Sequence, residues 1–133
     1  MNPTNDHDYA GVLELLRDYY EGLWRCDVEL LARVFRPDAL YATPTADGTL
    51  RLDMQEYLPR VAKRTPPAER GVPYDYTVES VEFAGPDTAM ARLRCSLFDH
   101  DYTDFLSLVR VAGRWSVQAK VFHGVPHAPA ASS

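Results

Sequence analysis

Asp104 is the residue in this sequence whose surroundings promise chemistry. It sits in the run Tyr102 to Val111, which reads as a strand, and two hairpins place it on the apolar side of a sheet. If Asp99-His100 is a two-residue loop, Leu97 faces Tyr102, Cys95 faces Asp104, Leu93 faces Leu106 and Ala91 faces Leu108. If Ala112-Gly113 is the next loop, Arg110 faces Trp115, Leu108 faces Val117, Leu106 faces Ala119, Asp104 faces Val121 and Tyr102 faces His123. The two hairpins agree on the buried face, and a one-residue slip in either would move its set to the other side. A carboxyl surrounded by Cys95, Leu106 and Val121 is desolvated unless it is protonated, hydrogen-bonded or paired, and such a group suits proton transfer. His123, a diagonal cross-strand neighbour, is the partner this register supplies. A hairpin loop longer by one residue would bring Lys120 to that face instead, giving a Lys-Asp pair. Either way, a purely structural role, with the polar groups satisfying one another or nearby tyrosine hydroxyls, fits the same pattern.

Around the catalytic candidates Asp104 and His123, the ligand-binding candidates are Tyr20, Trp24, Tyr41, Tyr76, Cys95, Tyr102 and Lys120. The aromatic members offer flat apolar surface with hydroxyl or indole donors, suited to an aromatic or polycyclic ligand. Tyr20 and Trp24 also stand at helical spacing, which more often marks core residues than a ligand wall. There is no Gly-rich phosphate loop, no nucleophile elbow, no HExxH and no carboxylate-histidine cluster at metal spacing, so neither metal nor organic cofactor is expected. His7, His100 and His127 fall in terminal or turn segments and read as solvated.

These residues need a scaffold. Val12, Leu16, Tyr19, Tyr20, Leu23 and Trp24 recur at three and four residues behind Asp8, an amphipathic helix with a cap. Asp27 caps a second, short helix that stops before Pro37. Leu40 to Thr43 is a short strand and Asp47-Gly48 a turn. Asp53 and Glu56 resemble a capping box for a third helix, Met54 to about Arg64, bent at Pro59. The proline-rich stretch from Thr65 to Pro73 is a loop placed to act as a lid or rim. Four strands follow in an antiparallel meander: Tyr74 to Phe83, Thr88 to Phe98, Tyr102 to Val111 and Trp115 to His123. Residues 1–126 are expected to form one α+β domain, with 127–133 a disordered tail.

The 133 residues, 46% of them apolar, suffice for one core. A net charge of -5 argues against nucleic acid and anionic membrane surfaces as partners. No apolar run has the length of a membrane span and the first residues lack signal-peptide order, so a cytoplasmic location is expected. Cys26 and Cys95 read as buried, reduced thiols. On the outer sheet face, Met90, Arg92, Arg94, Ser96, Ser116, Gln118 and Lys120 are joined by Phe105, Val109 and Phe122. That mixture is too apolar for a solvent face and suits a homodimer interface.

The order of helix, short helix, strand pair, helix and four-stranded meander resembles the nuclear transport factor 2-like superfamily of cone-shaped α+β domains, over nearly the whole chain. Within it, Tyr20-Glu21-Gly22, Phe35-Arg36-Pro37-Asp38-Ala39, Asp47-Gly48, Glu56-Tyr57-Leu58, the stretch Tyr102 to Leu108 and the stretch Gly113 to Phe122 look most like the lumazine-binding branch, beside the SnoaL-like and ketosteroid isomerase-like members. The resemblance implies a curved sheet wrapped around three N-terminal helices, enclosing a pocket for a small hydrophobic or aromatic ligand. It implies acid-base work by Asp, His or Tyr without metal or cofactor, of isomerase, dehydratase or cyclase type, with Asp104 as base or acid, His123 as its partner and Tyr102 or Tyr76 as donor to an oxyanion. The site patterns of the isomerase and dehydratase do not match residue by residue. Because the superfamily also contains carriers and scaffolds, a non-catalytic carrier or sensor of a flat heterocycle, or a dimeric interaction module with a vestigial cavity, stands beside the enzyme reading.

Overall fold

The structure, a computed structural model, describes residues 7–127. Helix α1 (Tyr9–Arg25) begins where the Asp8 carboxylate accepts from the Gly11 amide at 3.0 Å, and it buries Val12, Leu16, Tyr19 and Leu23 along one stripe. It ends at Cys26 in the left-handed conformation, which turns the chain into α2 (Val28–Val34), capped by Asp27. The two helices meet where Gly22 lies against the Leu31 side chain. Strands β1 (Phe35–Thr45) and β2 (Gly48–Leu52) form a hairpin. Helix α3 (Met54–Ala62) carries the complete Asp53/Glu56 capping box. A single 3-10 turn (Pro67–Arg70) interrupts what the sequence suggested was a plain loop. The meander is β3 (Tyr76–Phe83), β4 (Thr88–Leu97), β5 (His100–Val111) and β6 (Arg114–Pro126).

All strands join one six-stranded sheet in the order β2-β1-β6-β5-β4-β3, with β1 parallel to β6 and every other pair antiparallel. The helices pack on its inner face, giving the expected α+β cone. Alternation is strict on β4, where Ala89, Ala91, Leu93, Cys95 and Leu97 are buried and the residues between them exposed.

Three corrections bear on function. First, β1 starts at Phe35 directly after α2 and runs through Pro37, where the sequence suggested a strand of only Leu40 to Thr43. Its pairing with β6 is irregular between Phe35 and Leu40, which leaves room for a proline without an amide donor.

Second, the β4-β5 turn is Phe98-Asp99, both at positive φ (52° and 62°) as a type I′ hairpin requires, and not Asp99-His100. Each pair shifts by two residues, so Cys95 opposes Tyr102 and Leu93 opposes Asp104. An even shift keeps every side chain on its predicted face.

Third, β6 carries a bulge. Val117 opposes Leu108 as expected, but Ala119 then opposes Ser107, leaving Gln118 as the extra residue. Beyond it the faces exchange: Lys120 and Phe122 turn inward, while Val121 and His123 turn out. The outer face therefore presents Val121 rather than Phe122, beside Phe105 and Met90.

His127, expected at the head of a disordered tail, donates its amide to the Asp99 carbonyl at 2.9 Å and holds Asp101 through Nε2 at 2.8 Å; residues 128–133 lie outside the described residues. His100, expected to be solvated, is half-buried and stacks on Tyr102. Among the described residues no helix is long and apolar enough to cross a membrane.

Candidate functional site

The wide end of the cone holds a small chamber of about 30 Å³, bounded by Leu23 of α1, Tyr41 of β1, Arg64 after α3, Cys95 and Leu97 of β4, Phe98 of the turn, Tyr102 and Asp104 of β5, and Lys120 and Phe122 of β6. It has room for roughly one or two waters. Aromatic side chains fill most of the space that a larger pocket would need.

Asp104 is 1% exposed. Its Oδ2 accepts a 2.6 Å hydrogen bond from the Tyr19 hydroxyl, while Oδ1 is buried with no partner among the described residues. Burial, followed by the charge of Asp104, pushes Tyr19 well above the ordinary phenol range, so it is a fixed donor. Lys120, 6% exposed, makes no direct ion pair within the described residues. Its ammonium lies 4.7 Å from the Phe122 ring centre, 5.2 Å from that of Tyr19 and 5.4 Å from that of Tyr41. Burial opposes its charge, but the facing carboxylate of Asp104, helped by Tyr57 and Tyr41, more than offsets this and holds the amine above its usual range. The Cys95 thiol is pushed up to about 12 by burial and then by Asp104, which leaves it a neutral wall group.

At the mouth, the Arg64 guanidinium stands 4.9 Å from the Phe98 ring centre and 5.7 Å from that of Tyr57. Tyr57 is fully buried, stacks on Tyr41 at 4.4 Å, and its hydroxyl has no hydrogen-bond partner among the described residues. Burial raises its pKa, against the opposing pull of Lys120 and Arg64.

Of the residues the sequence singled out, the structure brings Asp104, Lys120, Tyr41, Cys95 and Tyr102 together at the chamber. It does not bring His123, which is exposed opposite Thr103; the bulge at Gln118 is the reason. Tyr20 and Trp24 do not line it either. The Tyr20 hydroxyl donates to the Pro73 carbonyl at 3.4 Å and accepts from the Asp75 amide at 3.1 Å, and the Trp24 indole donates to the Val72 carbonyl at 2.9 Å, so both pin the segment before β3. Tyr76 stacks on Tyr20 at 4.7 Å and faces a separate, outer groove of about 620 Å³. Cys95, Leu97, Phe98 and Tyr102 border both spaces.

Sequence reasoning missed Tyr19, Tyr57, Arg64, Phe98 and Phe122. Tyr19 and Tyr57 were within reach of helical spacing, since each lies on the buried stripe of its helix. Arg64, on the bend that follows α3, carries no local signal.

A curved sheet closed over three helices, with an acid on the inner face of a central strand, defines a cone domain of the nuclear transport factor 2-like type. The match to the family described as "Putative lumazine-binding" covers residues 7–123, and the chain belongs to that family. Among solved structures it is similar to an NTF2-like protein of unknown function from Shewanella baltica, with a TM-score of 0.78, 22% identity, and 90% of this chain and 94% of that one covered. It is also similar to a ketosteroid isomerase-like protein from Erwinia carotovora, with a TM-score of 0.66, 15% identity and 90% and 96% covered. At these identities the likeness is one of fold. A curated relative, Aldolase FrzH from a Cladobotryum species, is 37% identical over 43 residues, which are 31% of this chain. The matched segment spans about a third of that aldolase, 34% of its length.

Proposed function

We propose that this chain binds a small aromatic or heterocyclic molecule at the mouth of the cone and that Asp104 moves a proton on it, without metal or organic cofactor. The observation that carries the reading is the half-satisfied carboxylate of a residue that lines the chamber: Tyr19 holds Oδ2 in place, and Oδ1 has no partner among the described residues. A buried acceptor left open costs stability, so the arrangement favours a proton-transfer role over a packing one. Lys120 stays protonated beside it, which suits stabilising an oxyanion and not attack on a carbonyl as a free amine. Tyr102 stands at the same mouth as a second donor. Proton abstraction next to a carbonyl would serve an isomerase, a dehydratase or cyclase, and is also the first step of aldol chemistry, which the short aldolase match favours.

The test is deuterium uptake at the α-carbon of phenylacetone in D2O, followed by proton NMR. The wild type accelerates exchange, and Asp104→Asn lowers that acceleration by about a hundredfold or more. Exchange at the buffer rate with both proteins overturns the acid-base reading.

The chamber volume favours a second reading, a non-catalytic carrier whose flat ligand lies in the outer groove against Tyr76 and Tyr102. A tight complex with no exchange would select it. In either case we place the protein in the cytoplasm, on its two unpaired cysteines, and as a homodimer through the exposed Met90, Phe105 and Val121 of the outer face.

A further inference from the structure

Three charged side chains line the chamber, and their charges do not cancel. Asp104 brings one negative charge; Lys120 and Arg64 bring two positive ones. Neither cation has a carboxylate within ion-pair distance among the described residues, although acids elsewhere on the surface pair with arginines such as Arg92, Arg94 and Arg110. Aromatic rings offset part of the cost of burying the Lys120 ammonium. The buried Tyr57 hydroxyl, close enough to feel both cations, lacks an acceptor. Two cations thus converge on one small space against a single carboxylate, in a protein whose overall charge is -5. An excess buried charge is costly, and a ligand of opposite charge removes the cost.

We infer that the chamber receives the carboxylate of a small aromatic monocarboxylic acid, held between the Lys120 ammonium and the Arg64 guanidinium. The inference rests on the pocket reading above and names the ligand class for it. A carboxylate is small enough for the space and matches the planar fork of a guanidinium. The walls beyond it, Tyr41, Phe98, Tyr102 and Phe122, ask for a flat unsaturated body. The outer groove, bordered by the same Phe98 and Tyr102, has room for that body. Asp75, Asp99 and Asp101 outnumber Arg94 among the charged residues of the groove and disfavour a second acid group, hence a monocarboxylate and not a diacid.

The experiment is a calorimetric and NMR titration of the full chain with cinnamate and with cinnamamide, which has the same shape and no charge. Cinnamate is expected to shift the amide signals of Arg64, Phe98, Tyr102 and Lys120 and to bind about tenfold or more tighter than the amide. Arg64→Gln, which removes one of the two cations, is expected to lower cinnamate affinity far more than cinnamamide affinity and so to remove that preference. Asp104→Asn, which raises the chamber charge, tightens cinnamate. The inference is overturned if acid and amide bind alike, if neither binds at these residues, or if Arg64→Gln keeps the preference. The comparison of acid and amide on the wild type stands whether or not a variant folds. Exchange of phenylacetone without preference for cinnamate defeats this inference alone; preference for cinnamate without exchange defeats the acid-base reading alone.

Discussion

Tyr19 of α1 donates its hydroxyl to Asp104 of β5 at 2.6 Å, across 85 positions of sequence, and this bond ties the first helix to the centre of the sheet. It satisfies one carboxylate oxygen and leaves the other without a partner among the described residues. The helix therefore does two things with one residue: it closes the core and aims the acid.

Tyr19→Phe is expected to destabilise the fold by about 1 to 3 kcal/mol, because it leaves a second buried oxygen of Asp104 without a donor. Urea unfolding with an unchanged m-value checks this. Asp104→Asn in the same background recovers part of the loss, since an amide demands less than a carboxylate. Equal losses with and without the Asn would mean that the bond to Tyr19 does not carry the effect.

Lys120 and Asp104 stabilise each other across the chamber, so removing one leaves the other uncompensated. Lys120→Met is expected to cost about 3 to 5 kcal/mol at neutral pH, and Lys120→Met with Asp104→Leu to cost much less than the two single changes together. The pH dependence has a fixed sign. The folded-state pKa of Lys120 lies above its ordinary value of 10.5, so its contribution is fully present below about pH 10.5 and is lost as pH rises through the folded value. The stability gap between wild type and Lys120→Met should therefore narrow as pH rises through that alkaline range. A gap that stayed constant across it would contradict the assignment.

How far the site was legible in the sequence turns on two turns of backbone. The inward side of β4 and β5 could be read because apolar residues alternate there, and misplacing the hairpin turn by one residue shifted each pair by two, which changes no face. Asp99-His100 looks the better turn by composition, because Phe rarely accepts the left-handed conformation that Phe98 adopts. The bulge at Gln118 is different. No glycine or proline marks it, and its odd shift decides that Lys120, not His123, shares the chamber with Asp104. The longer-loop alternative reached Lys120 for a different reason. Arg64 depends on where the bend after α3 comes to rest, which only tertiary packing fixes.

Gly22 tests the helix packing beneath the site. A Cβ there would lie 2.6 Å from Cδ2 and 2.7 Å from Cγ of Leu31, whose side chain is fully buried and has nowhere to go. Gly22→Ala gains about 1 kcal/mol of helix propensity and loses about 1 to 3 kcal/mol to overpacking, so a net loss of stability is expected. Thermal unfolding measures it, and the loss should shrink when Leu31→Val is added. A stabilised single variant would show that the helix pair is looser than this packing.

Gly124 stands opposite Tyr102 on β6, and the Tyr102 ring covers it: a Cβ there would meet Cε1 at 2.6 Å and Cδ1 at 2.9 Å. Its backbone is not in the left-handed region, so Gly124→Ala meets only the ring, not backbone strain. The strand gains from losing a glycine while the ring must move aside, which keeps the stability change within about 1 kcal/mol. Tyr102 borders both the chamber and the outer groove, so the displaced ring changes the mouth between them. The expected outcome is a folded variant with shifted signals at Tyr102 and its stacking neighbour His100, and cinnamate affinity lowered several-fold. Unchanged affinity in a variant whose Tyr102 ring has demonstrably moved would remove Tyr102 from the binding wall and leave Arg64 and Lys120 to account for recognition alone.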